Sequence, residues 1–211
     1  MGGAEVSERV TLVSAADGPF GPPVIRALLG AGRFVLAGGS SHAALAEIGR
    51  EGVVPLTLRS TDPGTLRVAL AVAMDRFGGL DDVLLLDGLG EEPGGPGGVS
   101  ARLAALVAWV EGLTAAALVA PVRVRVVVAP LRSRGDAGRP WGATADAAVA
   151  TWIAAQRASL SARGLRLSLL EVSSEASERE WGRRLDQGDV EGRVRGLARR
   201  LRGVSRARTA S

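Results

Sequence analysis

The chain of 211 residues contains no cysteine, lysine, tyrosine or asparagine, so all 26 of its basic residues are arginine, and His42 is its single histidine. These absences exclude disulfides, thiolate catalysis, cysteine-type zinc sites, Schiff-base lysines and acid catalysis by tyrosine. One histidine and scattered carboxylates lack the spacing of a metal site, so we expect no metal. We interpret His42 as a surface or helix-cap residue, with a general base as the alternative.

The charge of the chain is unevenly placed. The formal net charge is +4, and residues 193–208 hold seven arginines and no acidic residue. No aromatic residues interleave with these arginines for base stacking, so we expect a solvated face and tail and no binding of nucleic acid. No apolar run approaches the length of a membrane span, and the first residues lack a signal-peptide pattern. We therefore expect a cytoplasmic protein without a membrane segment.

Short apolar runs alternate with longer segments rich in alanine and leucine. The runs predict strands at 9–15, 33–37, 53–58, 82–87, 122–129 and 165–172. The intervening segments predict helices at 22–31, 42–49, 63–77, 100–119 and 143–163. Strands that are apolar almost throughout are typical of a parallel sheet covered on both faces. The alternation predicts a single doubly wound α/β sheet of about six strands.

The rest of the chain is expected to extend or flank this one domain. Residues 91–98 and 131–140 have the composition of loops, and 189–203 show the apolar spacing of an amphipathic helix. We expect a disordered N-terminus at 1–8, a Rossmann-like domain at 9–203 and a disordered, arginine-containing tail at 204–211.

The order of several phrases resembles the short-chain dehydrogenase/reductase family, and its ketoreductases in particular. The phrases that carry the likeness are VTLVSAADGPFGPPVIRALLGAG, FVLAGGSSHAALAEIG, STDPGTL, DDVLLLDGLG, WVEG, VRVVVAP and WGATADAAVATWIAAQRASLSARGLRLSLLEV. The likeness covers about residues 8–175, and the seventh strand of the family is not found. It implies a Rossmann fold, a nicotinamide cofactor and a Ser-Tyr-Lys catalytic group that is usually joined by an asparagine.

The cofactor loop of the family departs from its pattern here. The first two glycines of the motif fall on Ala15 and Pro19, and only the third is kept, as Gly21. Three of the five residues in 19–23 are proline, which offers no N–H to a phosphate at a helix N-terminus. Asp17 adds a negative charge where the pyrophosphate would lie. We therefore expect no nicotinamide cofactor.

The catalytic positions of the family are also substituted. Its helix asparagine falls on Trp109, and its serine falls on Val128 or Ala129. The Tyr-x-x-x-Lys pair falls on Trp141 and Ala145, or one residue later on Gly142 and Asp146. Since none of these residues can protonate a carbonyl group as the family tyrosine does, we assign no catalytic residue.

Four residues remain as candidates for a pocket. Asp17 and Asp87 follow the first and fourth strands, beside the crevice where open α/β sheets bind ligands. They could bind an amine or perform acid–base chemistry, or they could simply cap turns. Trp109 and Trp141 border the position of the lost active site. They could fill it, or form an apolar wall for an aromatic or polyketide-like ligand.

Two functional hypotheses follow. In the family, the helices corresponding to 100–119 and 143–163 form a four-helix bundle between two subunits, and here they are rich in small and apolar residues. We therefore favour a catalytically inactive protein that acts by association, either as a non-catalytic or regulatory subunit of an active ketoreductase-type paralogue or as a homodimer. The alternative is a repurposed enzyme or binder that performs cyclisation, dehydration or isomerisation on an apolar small molecule without NAD(P).

Overall fold

The computed structural model describes residues 9–48, 52–58, 63–87, 94–115, 121–128, 140–172 and 177–185. Its strands are β1 (Val10–Val13), β2 (Phe34–Gly39), β3 (Val53–Thr57), β4 (Asp82–Leu85), β5 (Val122–Val128) and β6 (Leu165–Glu171). Its helices are α1 (Gly21–Gly30), α2 (His42–Ile48), α3 (Pro63–Phe77), α4 (Pro96–Ala115), α5 (Pro140–Ala162) and α6 (178–185). The strands form one parallel sheet in the order β3-β2-β1-β4-β5-β6, which confirms the predicted fold class.

Helices cover both faces of this sheet and divide the core into two parts. Every residue of β1 and β4 is buried, as the continuous apolar runs predict. On one face, α3, α4 and α5 pack against the strands through residues such as Leu70, Val110 and Ile153. On the other face, α1, α2 and α6 contribute Leu28, Leu45 and Trp181.

A buried charge cluster lies on the α1/α6 face. Asp82, which is 2% exposed, accepts hydrogen bonds from Arg33 at 2.8 Å and from Arg125 at 3.5 Å, and its carboxylate lies 3.1 Å from the Nε of Arg123. Arg125 also donates to the backbone carbonyl of Leu185 in α6 at 2.6 Å. The cluster therefore ties three strand regions and α6 together.

Several predicted boundaries were wrong. Helix α4 begins at Pro96 rather than at residue 100, and α5 begins at Pro140 rather than at residue 143, since proline is tolerated in a first helical turn. Strand β1 ends at Val13, before the positive φ of 46° at Ala15. Helix α6 was not predicted. The predicted helix at 189–203, both predicted disordered ends and residues 131–139 lie outside the described residues.

Helix α4 is the most apolar long helix of the described chain. Its mean hydropathy reaches 1.2 over 18 residues, so by length and composition it could cross a membrane, and 28% of that window is buried. The buried residues include Leu106, Trp109 and Leu113, which enter the core against the sheet. These contacts are those of a helix that packs on its own domain.

Candidate functional site

The turn between β1 and α1 is tightly closed by backbone hydrogen bonds. The amide of Ala16 donates to the carbonyl of Gly38 on β2 at 2.8 Å, and the amide of Gly18 donates to the carbonyl of Ala15 at 3.0 Å. A Cβ atom at Gly21 would lie 1.8 Å from the carbonyl oxygen of Ala16. The retained glycine therefore permits the close approach of α1 to the end of β1, the role that glycine has at this position of the motif.

The first turn of α1 offers no amide to a ligand. The amide of Gly21 donates to the carbonyl of Gly18 at 3.1 Å, and the amide of Val24 donates to the carbonyl of Phe20 at 3.3 Å. Between them stand Pro22 and Pro23, which have no N–H. Residues 19–24 therefore keep the Phe20 amide as their remaining donor, whereas a helix N-terminus binds phosphate through several unpaired amides.

The Asp17 carboxylate is held by the chain that follows β2. Its Oδ2 accepts hydrogen bonds from the amides of Ser40 and Ser41 at 2.8 and 2.7 Å, and from the Ser40 hydroxyl at 3.0 Å. Burial alone would raise the pKa of Asp17, but these hydrogen bonds outweigh it and lower the pKa below its ordinary value. A Cβ atom at Gly39 would lie 2.4 Å from Oδ1, so a residue without a side chain is required beside this carboxylate.

The expected role of Asp17 is therefore corrected in part. Asp17 does place a negative charge in the first loop. However, its carboxylate accepts hydrogen bonds from Ser40 and Ser41 of the same chain, rather than facing a ligand. The capping alternative describes it better, since its acceptor oxygen satisfies two amides just before α2 begins. No local pattern of residues indicates this contact, because the partners are 23 and 24 residues away.

Asp87 forms a second polar contact at the carboxyl ends of β1 and β4. The Ser14 hydroxyl donates to its carboxylate and accepts a hydrogen bond from the Leu86 amide at 3.0 Å. Burial raises the pKa of Asp87, the Ser14 hydrogen bond opposes this, and the charge of Asp17 raises the pKa further. The two carboxylates predicted to share the crevice are thus close enough to influence each other.

The indole of Trp109 lies against this contact from α4. Its side chain is 3% exposed and its N–H lowers the pKa of Asp87, although it makes no hydrogen bond of normal geometry within the described residues. We take this as a weak polar contact, because a well-formed bond would satisfy the distance and angle limits of N–H donors. Trp109 is therefore buried beside Asp87, and its two predicted roles, filling the crevice or forming a wall for a ligand, stay predictions.

Comparison with known proteins gives structural matches only. No protein-family model and no curated protein sequence matches the chain. A short-chain dehydrogenase from Burkholderia cenocepacia in complex with NADP is 18% identical, with a TM-score of 0.59 over 79% of this chain and 72% of that one. One from Mycobacterium smegmatis is 19% identical, with a TM-score of 0.65 over 84% and 80%. A short-chain oxidoreductase from Thermus thermophilus is 23% identical, with a TM-score of 0.61 over 84% and 94%.

The chain has a short-chain dehydrogenase fold. This agrees with the resemblance found in the sequence, and at these identities the agreement concerns the fold and not the activity.

The residues of this chain that align with the catalytic residues of short-chain dehydrogenases make other contacts. Asp146, one of the residues aligned with the family lysine, forms an ion pair of 2.7 Å with Arg102 between α5 and α4. Trp141, aligned with the family tyrosine, is 38% exposed at the start of α5, so it does not plug a cavity in the isolated chain. His42 is exposed as the first residue of α2, in agreement with a surface role.

One buried residue of this fold was missed by sequence analysis. Trp181 is 0% exposed and packs from α6 into the same core as Leu170 and Val172. Trp181 lies in a polar, acidic stretch. The only other large apolar residue nearby is Leu185, four residues later. Two apolar residues at this spacing are too few for a helical prediction by periodicity.

Proposed function

We propose that this chain acts by association and not by nicotinamide-dependent redox chemistry. It would be a non-catalytic or regulatory subunit of an active ketoreductase-type partner, or a homodimer. The observation that carries the proposal is the β1–α1 turn, where the amides of Gly21 and Val24 are used internally and Pro22 and Pro23 have none. The Burkholderia cenocepacia relative is described with NADP, so the fold can accept this cofactor, while residues 19–24 of this chain keep the Phe20 amide as their remaining donor.

The absence of the family's chemistry supports the same proposal. The chain contains no tyrosine, lysine or asparagine, so a Ser-Tyr-Lys group cannot form from any alignment of its residues. The Arg102–Asp146 ion pair further places a carboxylate, not an ammonium, in the region of α5 where that chemistry resides in the family.

The surface of α4 and α5 supports association. Exposed small residues recur at spacings of four and three along both helices, so each set lies along one helix face. These residues are Gly97, Ala101 and Ala104 on α4, and Ala147, Thr151, Ala154 and Ala158 on α5. Small side chains let a second helix approach closely.

The association is tested by the mass of the protein in solution at micromolar concentration. We expect the 21.6 kDa chain to sediment as a dimer, or to form a heterodimer with a co-expressed paralogue that has intact tyrosine and lysine. Ala154→Arg should abolish the complex, because the long arginine side chain would prevent the close approach of a second helix. Ala71→Arg, at an exposed position of α3, should leave it unchanged. A wild-type protein that remains monomeric both alone and with the paralogue would contradict the proposal.

The lack of cofactor binding is tested separately by calorimetry. Titration with NADH and NADPH should give no saturable heat, since residues 19–24 keep the Phe20 amide as their remaining donor to a pyrophosphate. Micromolar affinity for either nucleotide would restore the redox interpretation.

A repurposed binder is the second candidate, and the contact between Asp87 and Trp109 favours it. A buried carboxyl with a raised pKa beside an indole N–H lacking a normal hydrogen bond is an arrangement that could serve non-redox acid–base chemistry. Quenching of tryptophan fluorescence by apolar cyclic ketones tests it. The quenching should disappear in Trp109→Phe and persist in Trp152→Phe, and no quenching in the wild type would leave this candidate without support.

A further inference from the structure

A groove of about 670 Å³ lies between the second half of α1 and the first half of α6. Most of the surface that lines it is apolar, and an ion pair of 2.9 Å between Arg26 and Glu178 joins the two helices there. The small residues of its lining are Ala27, Gly30, Ala31 and Gly182. Since small side chains let a further helix approach closely, this lining is that of a helix-binding surface.

The chain that follows α6 begins beside this groove. Helix α6 ends at Leu185, and the sequence predicts an amphipathic helix at 189–203. The connection 186–188 spans at most about 14 Å, and two helices joined by so short a connection pack side by side as a hairpin. The apolar face of the predicted helix consists of Val190, Val194, Leu197 and Leu201.

The charges of α6 and of 189–203 are complementary when the two run antiparallel. Residues 178–180 carry a net negative charge, and Arg183 and Arg184 follow them. Residues 189–191 hold two acidic residues, and Arg193 and Arg195 follow them in turn. Antiparallel packing therefore places the acidic start of the segment beside the basic end of α6, and the basic part of the segment beside the acidic start of α6.

We propose that residues 189–203 form a helix that packs antiparallel to α6 with its apolar face in the groove against α1. The packing removes the apolar face from water, which stabilises a helix of a length that is marginal on its own. Arg199, on the opposite face of the helix, stays in solvent. The groove lies on the other side of the sheet from α4 and α5, so the proposal is independent of the proposed association.

The position of the segment can be tested by cross-linking, because the full chain contains no cysteine. Gly30→Cys is combined with Val194→Cys and treated with a short bismaleimide; a Cβ atom at Gly30 meets nothing within 4 Å. The control combines Val194→Cys with Ala71→Cys, at an exposed position of α3 on the other face of the sheet. The first pair should form the intramolecular cross-link about tenfold faster than the second. Equal rates would overturn the proposal, and cross-links between two chains would assign the groove to a second copy and overturn it as well.

Thermal unfolding tests the burial of the apolar face with a second pair of variants. Leucine, arginine and glutamine have similar helix propensities, so Leu197→Gln and Arg199→Gln differ in the face that they change. Leu197→Gln should lower the Tm by about 4–8 °C, the effect of one buried leucine in a chain of this size. Arg199→Gln should leave the Tm unchanged. A Tm of Leu197→Gln equal to that of the wild type would show that Leu197 is in water and would overturn the proposal.

Discussion

The hydrogen bonds of Asp17 can be tested by replacing its carboxylate with a neutral amide. Asp17→Asn keeps one acceptor oxygen and nearly the same volume, but removes the charge that Ser40 and Ser41 surround with three donors at 2.7–3.0 Å. We expect the β1–α1 turn to remain in place, because its own backbone hydrogen bonds are unaffected. The variant therefore measures the contribution of the charge itself.

The expected loss follows from the strength of these bonds. A hydrogen bond to a charged group contributes about 1.5–3 kcal/mol when buried, and this site is partly exposed, so we expect a total loss of about 1–2 kcal/mol. In a chain of this size, that corresponds to a decrease in Tm of about 3–6 °C. The pKa of Asp17 is lowered in the folded state, so its contribution is present above the ordinary value and is lost as the pH falls through the folded value.

Urea denaturation at a series of pH values measures this contribution. The free energy of unfolding of Asp17→Asn should lie below that of the wild type by a constant amount from about pH 5 to pH 8, and the difference should shrink below about pH 4. Asp75→Asn, at an exposed position of α3, is the control and should change little. Equal stability of Asp17→Asn and the wild type at pH 7 would refute the reasoning.

Three further predictions concern the same framework. Gly21→Ala should lose about 2–3 kcal/mol of stability in urea, because its Cβ would lie 1.8 Å from a backbone oxygen of the turn, whereas Gly30→Ala, which meets nothing within 4 Å, should change stability by less than about 1 kcal/mol. Asp87→Asn should gain stability relative to the wild type as the pH rises from about 4 to about 8. The pKa of Asp87 is raised in the folded state, so the wild type loses the stability supplied by the protonated carboxyl group as the pH rises through the folded pKa. A difference in the free energy of unfolding that stays constant over this pH range would exclude this. Asp82→Asn should lose about 3–5 kcal/mol, since it leaves buried guanidinium groups without their shared carboxylate, and a loss as small as that of Asp75→Asn would disprove the importance of the cluster.

The strands and their parallel sheet were the most predictable part of the fold. Runs such as 122–129 are rich in β-branched valine, and regular alternation with helices requires a parallel sheet, because each crossover places a helix on one face. The starts of α4 and α5 were less predictable. Glycine and proline around 91–98 have a loop composition, but proline is tolerated in a first helical turn, and the structure begins the helix at Pro96.

Of the candidate site, the sequence could predict only which chemical groups are missing. The missing donors in 19–23 follow directly from the prolines of the sequence. The contact between Asp17 and Ser40 does not, since it depends on β1 and β2 being neighbours in a fixed register. The same holds for Asp82, whose partners Arg33 and Arg125 are 49 and 43 residues away along the chain.

The arginines of β5 also restrict how the strand can assemble. β5 reads VRVRVVV, with valines Val122, Val124 and Val126 in the core under α4 and α5. Pairing shifted by one residue would turn Arg123 and Arg125 into that apolar layer, far from Asp82, and would bury two unpaired charges. A chain that began to fold in the shifted pairing would have to release β5 and pair it again. The cluster of Asp82 with Arg33, Arg123 and Arg125 thus favours the correct register of β5 over a register shifted by one residue.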